Sequence, residues 1–177
     1  MAETSAGQPV SREGIGIPAL NALPAQAAER VMQACCAASE WARAMAAARP
    51  FASAEKLYAA AERAFASMDE DAVDEALAGH PRIGERPGGA GGAWSRQEQA
   101  GVETAGEATR AALAVGNAEY ERRFGHVYLV SAAGRTAEEL LAVLLGRLDN
   151  DRETERQVVR RELATITRLR LERVVGR

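Results

Sequence analysis

The C-terminal segment DRETERQVVRRELATITRLRLERVV constrains the fold most, because its apolar residues recur with the spacing of one long helix. At about 100° per residue, its apolar positions fall within an arc of about 80°; they are Val159, Leu163, Ile166 and Val174. Arg170 falls in the middle of the same arc, whereas Arg168 points to the opposite side. A guanidinium on a core-facing stripe needs either a buried carboxylate or an anionic ligand as its partner. The pattern leaves both partners open for Arg170.

Helix signals also recur along the rest of the chain. Thr136 and Glu139 form a capping-box pattern, Ser53 is a candidate N-cap, and a helical stretch is predicted over residues 95–125. Only 5% of the residues are aromatic, and no series of alternating apolar and polar residues predicts a sheet. The sequence therefore predicts an all-α protein, built as a multi-helix bundle.

The length of 177 residues suits a single domain. Residues 1–16 are polar and aperiodic, so we expect a disordered or loosely attached tail there, followed by one helical domain over residues 17–177. Cys35 and Cys36 are neighbours in an alanine-rich helical pattern, where a disulfide between them would be strained. We expect both to be reduced core residues of a cytoplasmic protein.

Charge and hydropathy each exclude one class of partner. The net charge is −3, and acidic and basic residues are interspersed, so no basic stripe is present to bind a phosphate backbone. No apolar run approaches the ~20 residues that cross a membrane. We therefore expect neither nucleic acid nor a membrane among the partners of this chain.

The stretch GHPRIGERPGG places one of only two histidines between a glycine and a proline. Gly79 is expected to end a helix, so His80 lies just beyond a helix terminus, and Pro81 stiffens the chain after it. The imidazole could interact with the last helix carbonyls, or it could transfer protons in a cleft, since its protonation changes near neutral pH. The residues alone leave both roles open. The glycine-rich loop of residues 84–92 follows, and its conformation cannot be predicted.

The stretch WSRQEQ places Ser95 three residues before Glu98 at a predicted helix start. This spacing is typical of a capping box, and a carboxylate in a first turn could also bind a substrate. Two histidines and two adjacent cysteines cannot supply a three-histidine zinc site, and the phosphate-binding glycine motifs are absent from the sequence. We therefore expect no metal and no cofactor.

Several short motifs occur together in a specific order: HPRIGE, SRQEQAGV, LAVGNAEYERRFGHVYLVSAAGRTAEELL, RLDNDRETE and ITRLRLERV. In this combination the chain resembles the family of 2-oxo-4-hydroxy-4-carboxy-5-ureidoimidazoline (OHCU) decarboxylases over roughly residues 18 to 175. The family catalyses the last of three steps from urate to (S)-allantoin. The resemblance implies an all-α, cofactor-independent enzyme that is a homodimer, with OHCU as its small-molecule substrate.

The resemblance also implies roles for individual residues. The catalytic residues would be His80 and Glu98. The substrate would be bound by the following residues: Pro81, Ser95, Gln99, Tyr128, Val130 and Arg170. The residues from Tyr128 to Val130 would contribute backbone hydrogen bonds. This chain departs from the family pattern at His126, where many members have phenylalanine, and in the loop before Ser95, which lacks the lysines of some members.

Two other functions are compatible with the residues. The chain could be a non-catalytic helical interaction module in which Arg170 belongs to a buried salt bridge. It could also be a hydrolase acting on a related ureide, since hydrolysis of 5-hydroxyisourate is the preceding step of the same pathway. Release of CO2 together with optically active allantoin would distinguish the decarboxylase from both.

Overall fold

The computed structural model describes residues 14–85 and 92–176. The helices in this part of the chain are α1 (Gly16–Ala22), α2 (Ala25–Cys35), α3 (Ser39–Ala47), α4 (Ala54–Ala66), α5 (Glu70–Ala78), α6 (Gly92–Glu98), α7 (Ala100–Glu103), α8 (Glu107–Phe124), α9 (Ala137–Arg147) and α10 (Arg152–Val175). The described residues contain no strand, which confirms the all-α prediction. None of the described helices is both long and apolar enough to cross a membrane.

Several helix ends have the predicted caps. The hydroxyl of Ser53 accepts a hydrogen bond from the backbone of Lys56, and α4 begins there. Thr136 and Glu139 form the capping box at the start of α9, each accepting from the other's backbone N–H. Gly125 ends α8 in the left-handed conformation, with φ of 86°, which favours glycine.

The structure departs from the predicted elements at two places. Helix α1 was not predicted, and residues 1–13 of the predicted tail lie outside the described residues. The stretch predicted as one helix over residues 95–125 is divided into α6, α7 and α8. In α7, a Cβ on Gly101 would lie 2.1 Å from the carbonyl oxygen of Arg135, so the tight contact depends on glycine. This close approach places the short helix against the loop before α9.

The buried apolar residues form two clusters. The large cluster joins α1 to α5 with α10 and includes Trp41, Leu57 and Leu163; the small cluster lies mainly between α8 and α9 and includes Tyr120 and Leu144. Helix α10 contacts α1, α2 and α4. All four apolar residues of its predicted stripe are buried, and so is Arg170, as the helical periodicity predicted.

A stretch without helical structure, residues 126–136, connects α8 to α9 and passes between the two clusters. Tyr128, Val130 and Ala132 pack in the small cluster, whereas Leu129 packs in the large one. Alternation of this kind is typical of an extended backbone. The stretch therefore forms a wall where the two clusters meet.

Candidate active site

A pocket lies beside this wall, between the two clusters. It is lined by residues from the segment after α5, from α6 and its C-terminus, from the extended stretch and from α10: His80, Pro81, Ile83, Ser95, Glu98, Gln99, Tyr128, Leu129, Val130, Ser131, Ala132, Ile166 and Leu169. The structure thus places every predicted site residue at the pocket surface except Arg170. Arg170 lies directly behind it, hydrogen-bonded to Ser95 and Glu98.

His80 lies immediately after α5, and its backbone N–H donates to the Leu77 carbonyl at 3.0 Å. The prediction that Gly79 ends the helix is confirmed, but not through a left-handed conformation, because its φ is −80°. Glycine is needed there for space: a Cβ would lie 2.5 Å from the Cβ of Ala37. This close approach between α5 and the segment before α3 positions His80 in the pocket.

The His80 imidazole is buried, and its electrostatic surroundings disfavour a positive charge. Burial is the main cause, and the adjacent Arg170 guanidinium adds to it; together they outweigh the opposite influence of Glu98 and lower the pKa of His80 to about 4. The ring is therefore neutral near pH 7. A neutral imidazole can accept a proton, which is the property of a general base.

Arg170 and Glu98 form a nearly buried ion pair under the pocket. The Nε and Nη2 groups of Arg170 donate to the two carboxylate oxygens at 3.0 and 2.9 Å. Nη2 also lies 3.2 Å from the Ser95 hydroxyl oxygen, to which it donates. Arg173, one turn further along α10, donates to Glu98 at 3.1 Å. Sequence reasoning missed Arg173, although its spacing of three residues from Arg170 places it on the same side of the helix.

The predicted capping box of Ser95 and Glu98 is wrong. Helix α6 begins at Gly92, so Ser95 lies inside the helix and Glu98 is its last residue. The carboxylate is oriented by two arginines of α10 rather than by the free backbone donors of a first turn. The spacing was misleading because the helix begins three residues before Ser95, so Ser95 cannot be its N-cap.

Gln99 connects two parts of the pocket. Its side-chain oxygen accepts from the backbone N–H of Gly84 at 2.9 Å, and its side-chain nitrogen donates to the Arg82 carbonyl at 3.4 Å. These two bonds fix the chain that follows His80 and Pro81. Residues 86–91 of the glycine-rich loop lie outside the described residues.

His126, which departs from the family pattern, and Arg168, which was expected opposite the apolar stripe, both lie outside the pocket lining. His126 packs against the rings of Tyr120 and Phe124, with centroid distances of 5.6 and 6.3 Å. The Arg168 guanidinium lies 3.5 Å from the ring centroid of Tyr58 and pairs with Glu172. Its half-exposed position confirms that it points away from the core stripe.

Comparison with known proteins identifies the family. The family model described as OHCU decarboxylase matches residues 21–172. The uric acid degradation bifunctional protein TTL of Arabidopsis thaliana is 31% identical over 145 residues, which are 79% of this chain and 45% of that protein. The chain therefore spans less than half of that relative's length.

Two further relatives match over more of their own length. The 2-oxo-4-hydroxy-4-carboxy-5-ureidoimidazoline decarboxylase of Amia calva is 32% identical over 131 residues, 72% of this chain and 75% of that protein. A crystal structure of OHCU decarboxylase, determined in the presence of (S)-allantoin, superposes with a TM-score of 0.74 and 26% identity, covering 82% of this chain and 97% of that one. These matches confirm the resemblance of the motifs. The chain belongs to the OHCU decarboxylase family.

Proposed function

We propose that the protein decarboxylates OHCU to (S)-allantoin, with His80 as the residue that handles the transferred proton. The single observation that carries this proposal is the position of a buried, neutral imidazole in the pocket, beside a carboxylate held by two arginines. A helical interaction module would have no need of such a group at a pocket surface. The family match and the relatives' names supply the substrate class.

The chemistry of OHCU suits these residues. The same ring carbon carries a carboxylate and a hydroxyl, and the adjacent carbon is double-bonded to a ring nitrogen. When the bond to the carboxylate breaks, its electron pair moves toward that nitrogen and CO2 leaves. The substrate thus supplies its own electron sink, and the ring nitrogen that receives the electron pair takes up one proton from the solvent.

The second part of the reaction requires a proton to move within the product. The hydroxyl loses its proton and becomes a carbonyl, while the neighbouring carbon gains a proton. His80 is neutral near pH 7, so it can accept the hydroxyl proton and return it to one face of that carbon. Delivery to a single face would fix the (S) configuration.

The remaining pocket residues would bind and orient the substrate. Glu98 and Ser95 present oxygens at the pocket, while the Arg170 guanidinium behind them supplies positive charge close to an anionic substrate. The polar backbone of the wall, from Tyr128 to Val130, would complete the contacts. Since Gln99 engages the backbone of residues 82–84, it would act on the substrate chiefly by shaping the pocket.

The proposal is tested by following CO2. OHCU labelled with ¹³C in its carboxylate is generated from urate with uricase and 5-hydroxyisourate hydrolase, with and without this protein. We expect labelled CO2 to appear much faster when the protein is present. Release at the uncatalysed rate would overturn the proposed function, and loss of OHCU without release of CO2 would favour a hydrolase.

We propose further that the protein is a cytoplasmic homodimer, as the family resemblance implies. Val115 on α8 and Leu145 on α9 are large apolar side chains exposed by 69% and 53%, and a second copy could cover them. A mass measured by light scattering would test the dimer, with the substitution Leu145→Glu expected to weaken it. A wild-type mass equal to one chain would contradict it.

A further inference from the structure

The wall of the pocket contains an extended backbone, and the residues that the structure describes place no strand beside it. In place of a strand, a buried arginine holds it: Nη1 of Arg147 donates to the carbonyl oxygen of Leu129 at 2.7 Å. Arg147 is the last residue of α9, and its side chain is 8% exposed. It lies outside the residues that line the pocket. The arginine therefore contacts the wall from behind.

The Arg147 side chain is itself fixed by a buried network. Its Nε donates to Glu155 of α10 at 2.9 Å, and its Nη2 donates to the hydroxyl oxygen of Tyr120 at 3.2 Å. The Tyr120 hydroxyl in turn donates to the same Glu155 oxygen. Asn150 donates to the other Glu155 oxygen at 2.8 Å. With these contacts the guanidinium has little freedom to leave the Leu129 carbonyl.

A second carboxylate holds the same edge of the wall. The backbone N–H of Ser131 donates to Glu162 of α10 at 2.7 Å. In an extended chain, the polar backbone groups of a residue and of the second residue after it point to the same edge. Leu129 and Ser131 thus share the edge that Arg147 and Glu162 occupy. By the same alternation, the N–H and carbonyl of Val130 are expected to point to the opposite edge.

We propose that Arg147 is a positioning residue, which fixes the backbone of residues 128–132 through the Leu129 carbonyl so that the Val130 peptide groups are presented to the substrate. The inference rests on the proposed function for its catalytic consequence. Its structural part, the restraint of this backbone, is independent of any activity.

Stability alone does not account for this network. A fully buried ion pair loses much of its attraction to the cost of removing both charges from water, and well-packed apolar residues often serve as well or better. Glu155 is entirely buried, and Arg147 nearly so. What an apolar replacement cannot supply is the directional bond to the Leu129 carbonyl, because it has no donor.

The substitution Arg147→Lys tests the inference. Lysine keeps the positive charge, but its single ammonium lacks the planar fork that serves Glu155 and the Leu129 carbonyl together. Arg160→Lys is a matched control, since Arg160 also donates both to a backbone carbonyl, that of Met68, and to a carboxylate, that of Glu70. Those contacts lie outside the pocket lining. A second variant, Arg147→Met with Glu155→Leu, removes the buried pair without leaving one charge unpaired.

Two quantities are measured for each variant: kcat and KM with OHCU, and the amide hydrogen exchange of residues 128–132 relative to that of α10. We expect Arg147→Lys and the double variant to lower kcat/KM on the order of 10- to 100-fold and to speed exchange in residues 128–132 selectively. Arg160→Lys should change kcat/KM less than twofold.

The results separate the inference from the proposed function. Unchanged kcat/KM with unchanged exchange in a folded double variant would overturn the role of Arg147. So would a loss of kcat/KM matched by equally faster exchange throughout α10, because the effect would then be general unfolding. If the wild-type protein does not decarboxylate OHCU, the proposed function fails, and the exchange in residues 128–132 still decides whether Arg147 holds this backbone.

Discussion

Arg170 binds Glu98 at two points, with Nε and Nη2 at 3.0 and 2.9 Å from the two carboxylate oxygens, although 72 residues separate them in the sequence. The side chains are 5% and 11% exposed, so water screens this pair little. Because two parallel bonds fix the plane of the carboxylate, α10 determines how Glu98 faces the pocket.

Replacement of Arg170 should therefore be severe, and replacement of Arg168 mild. Arg170→Ala leaves Glu98 without its main partner and removes positive charge next to the pocket, so we expect kcat/KM per folded molecule to fall at least ~100-fold. Arg168→Ala removes a half-exposed ion pair and a cation–π contact with Tyr58, which contribute about 0.5–1 kcal/mol each. Its kcat/KM should stay within about threefold of wild type, and the reverse order of the two variants would refute the roles assigned to these two arginines.

His80→Asn should abolish turnover while preserving the fold. Asparagine is polar and smaller than histidine, but it cannot take up a proton near neutral pH, so we expect kcat to fall on the order of 10³-fold. The matched control is His126→Asn, which changes the other histidine outside the pocket lining and should keep most of the activity. Far-ultraviolet circular dichroism checks the fold of both variants. Full activity of His80→Asn would show that another group transfers the proton.

The lowered pKa of His80 predicts how activity depends on pH. Since the neutral ring is the active form, kcat/KM should fall only as the pH approaches about 4, rather than near the ordinary histidine value of about 6.5. A pH–rate profile of the wild-type protein, together with the NMR titration of the His80 ring, measures this. An acidic limb centred near pH 6.5 would contradict the described environment of the imidazole.

The same pKa also predicts a change in stability. In the unfolded chain the imidazole binds a proton below about pH 6.5, whereas in the folded protein it does so only near pH 4, so acid favours unfolding across that window. Between pH 6.5 and 4, His80 should lower the free energy of unfolding of the protein by an amount on the order of 3 kcal/mol. Urea denaturation at several pH values should show this loss in the wild type and a smaller one in His80→Gln. An equal loss of stability in both proteins would show that the protonation of His80 does not cause it.

Gly79→Ala tests the close approach that positions His80. The new Cβ would lie 2.5 Å from the Cβ of Ala37, so the backbone must shift, at a cost of about 1–3 kcal/mol. In the control Gly146→Ala, no atom beyond the adjoining backbone of α9 lies within 4 Å of the new Cβ, and alanine should stabilise α9 by about 0.5–1 kcal/mol. Thermal denaturation compares them, and a Gly79→Ala protein as stable as Gly146→Ala would refute the importance of this close packing.

Local patterns predicted part of this structure well. The stripe of α10 and the capping box at Thr136 depend on residues within a few positions of one another, so the sequence reveals them directly. The buried position of Arg170 followed from helical periodicity alone. Its partner did not, because Glu98 reaches it only through the packing of α6 against α10.

Two other features could not be predicted, because they too depend on contacts between residues that are far apart in the sequence. Gly79 was correctly expected to end α5, but the close contact with Ala37 that requires glycine is a tertiary feature. In the sequence, Arg147 is indistinguishable from any cation that lies in the last turn of a helix. Its bond to the Leu129 carbonyl becomes visible only once the extended stretch is placed between the two clusters.

The optical activity of the product tests the proposed reaction most directly. OHCU is generated from urate in the presence of wild-type protein, His80→Asn or no protein, and circular dichroism follows the formation of (S)-allantoin. We predict a rapid (S)-allantoin signal with the wild type and only the slow spontaneous reaction in the other two samples. A wild-type signal no faster than that of the sample without protein would contradict the central claim.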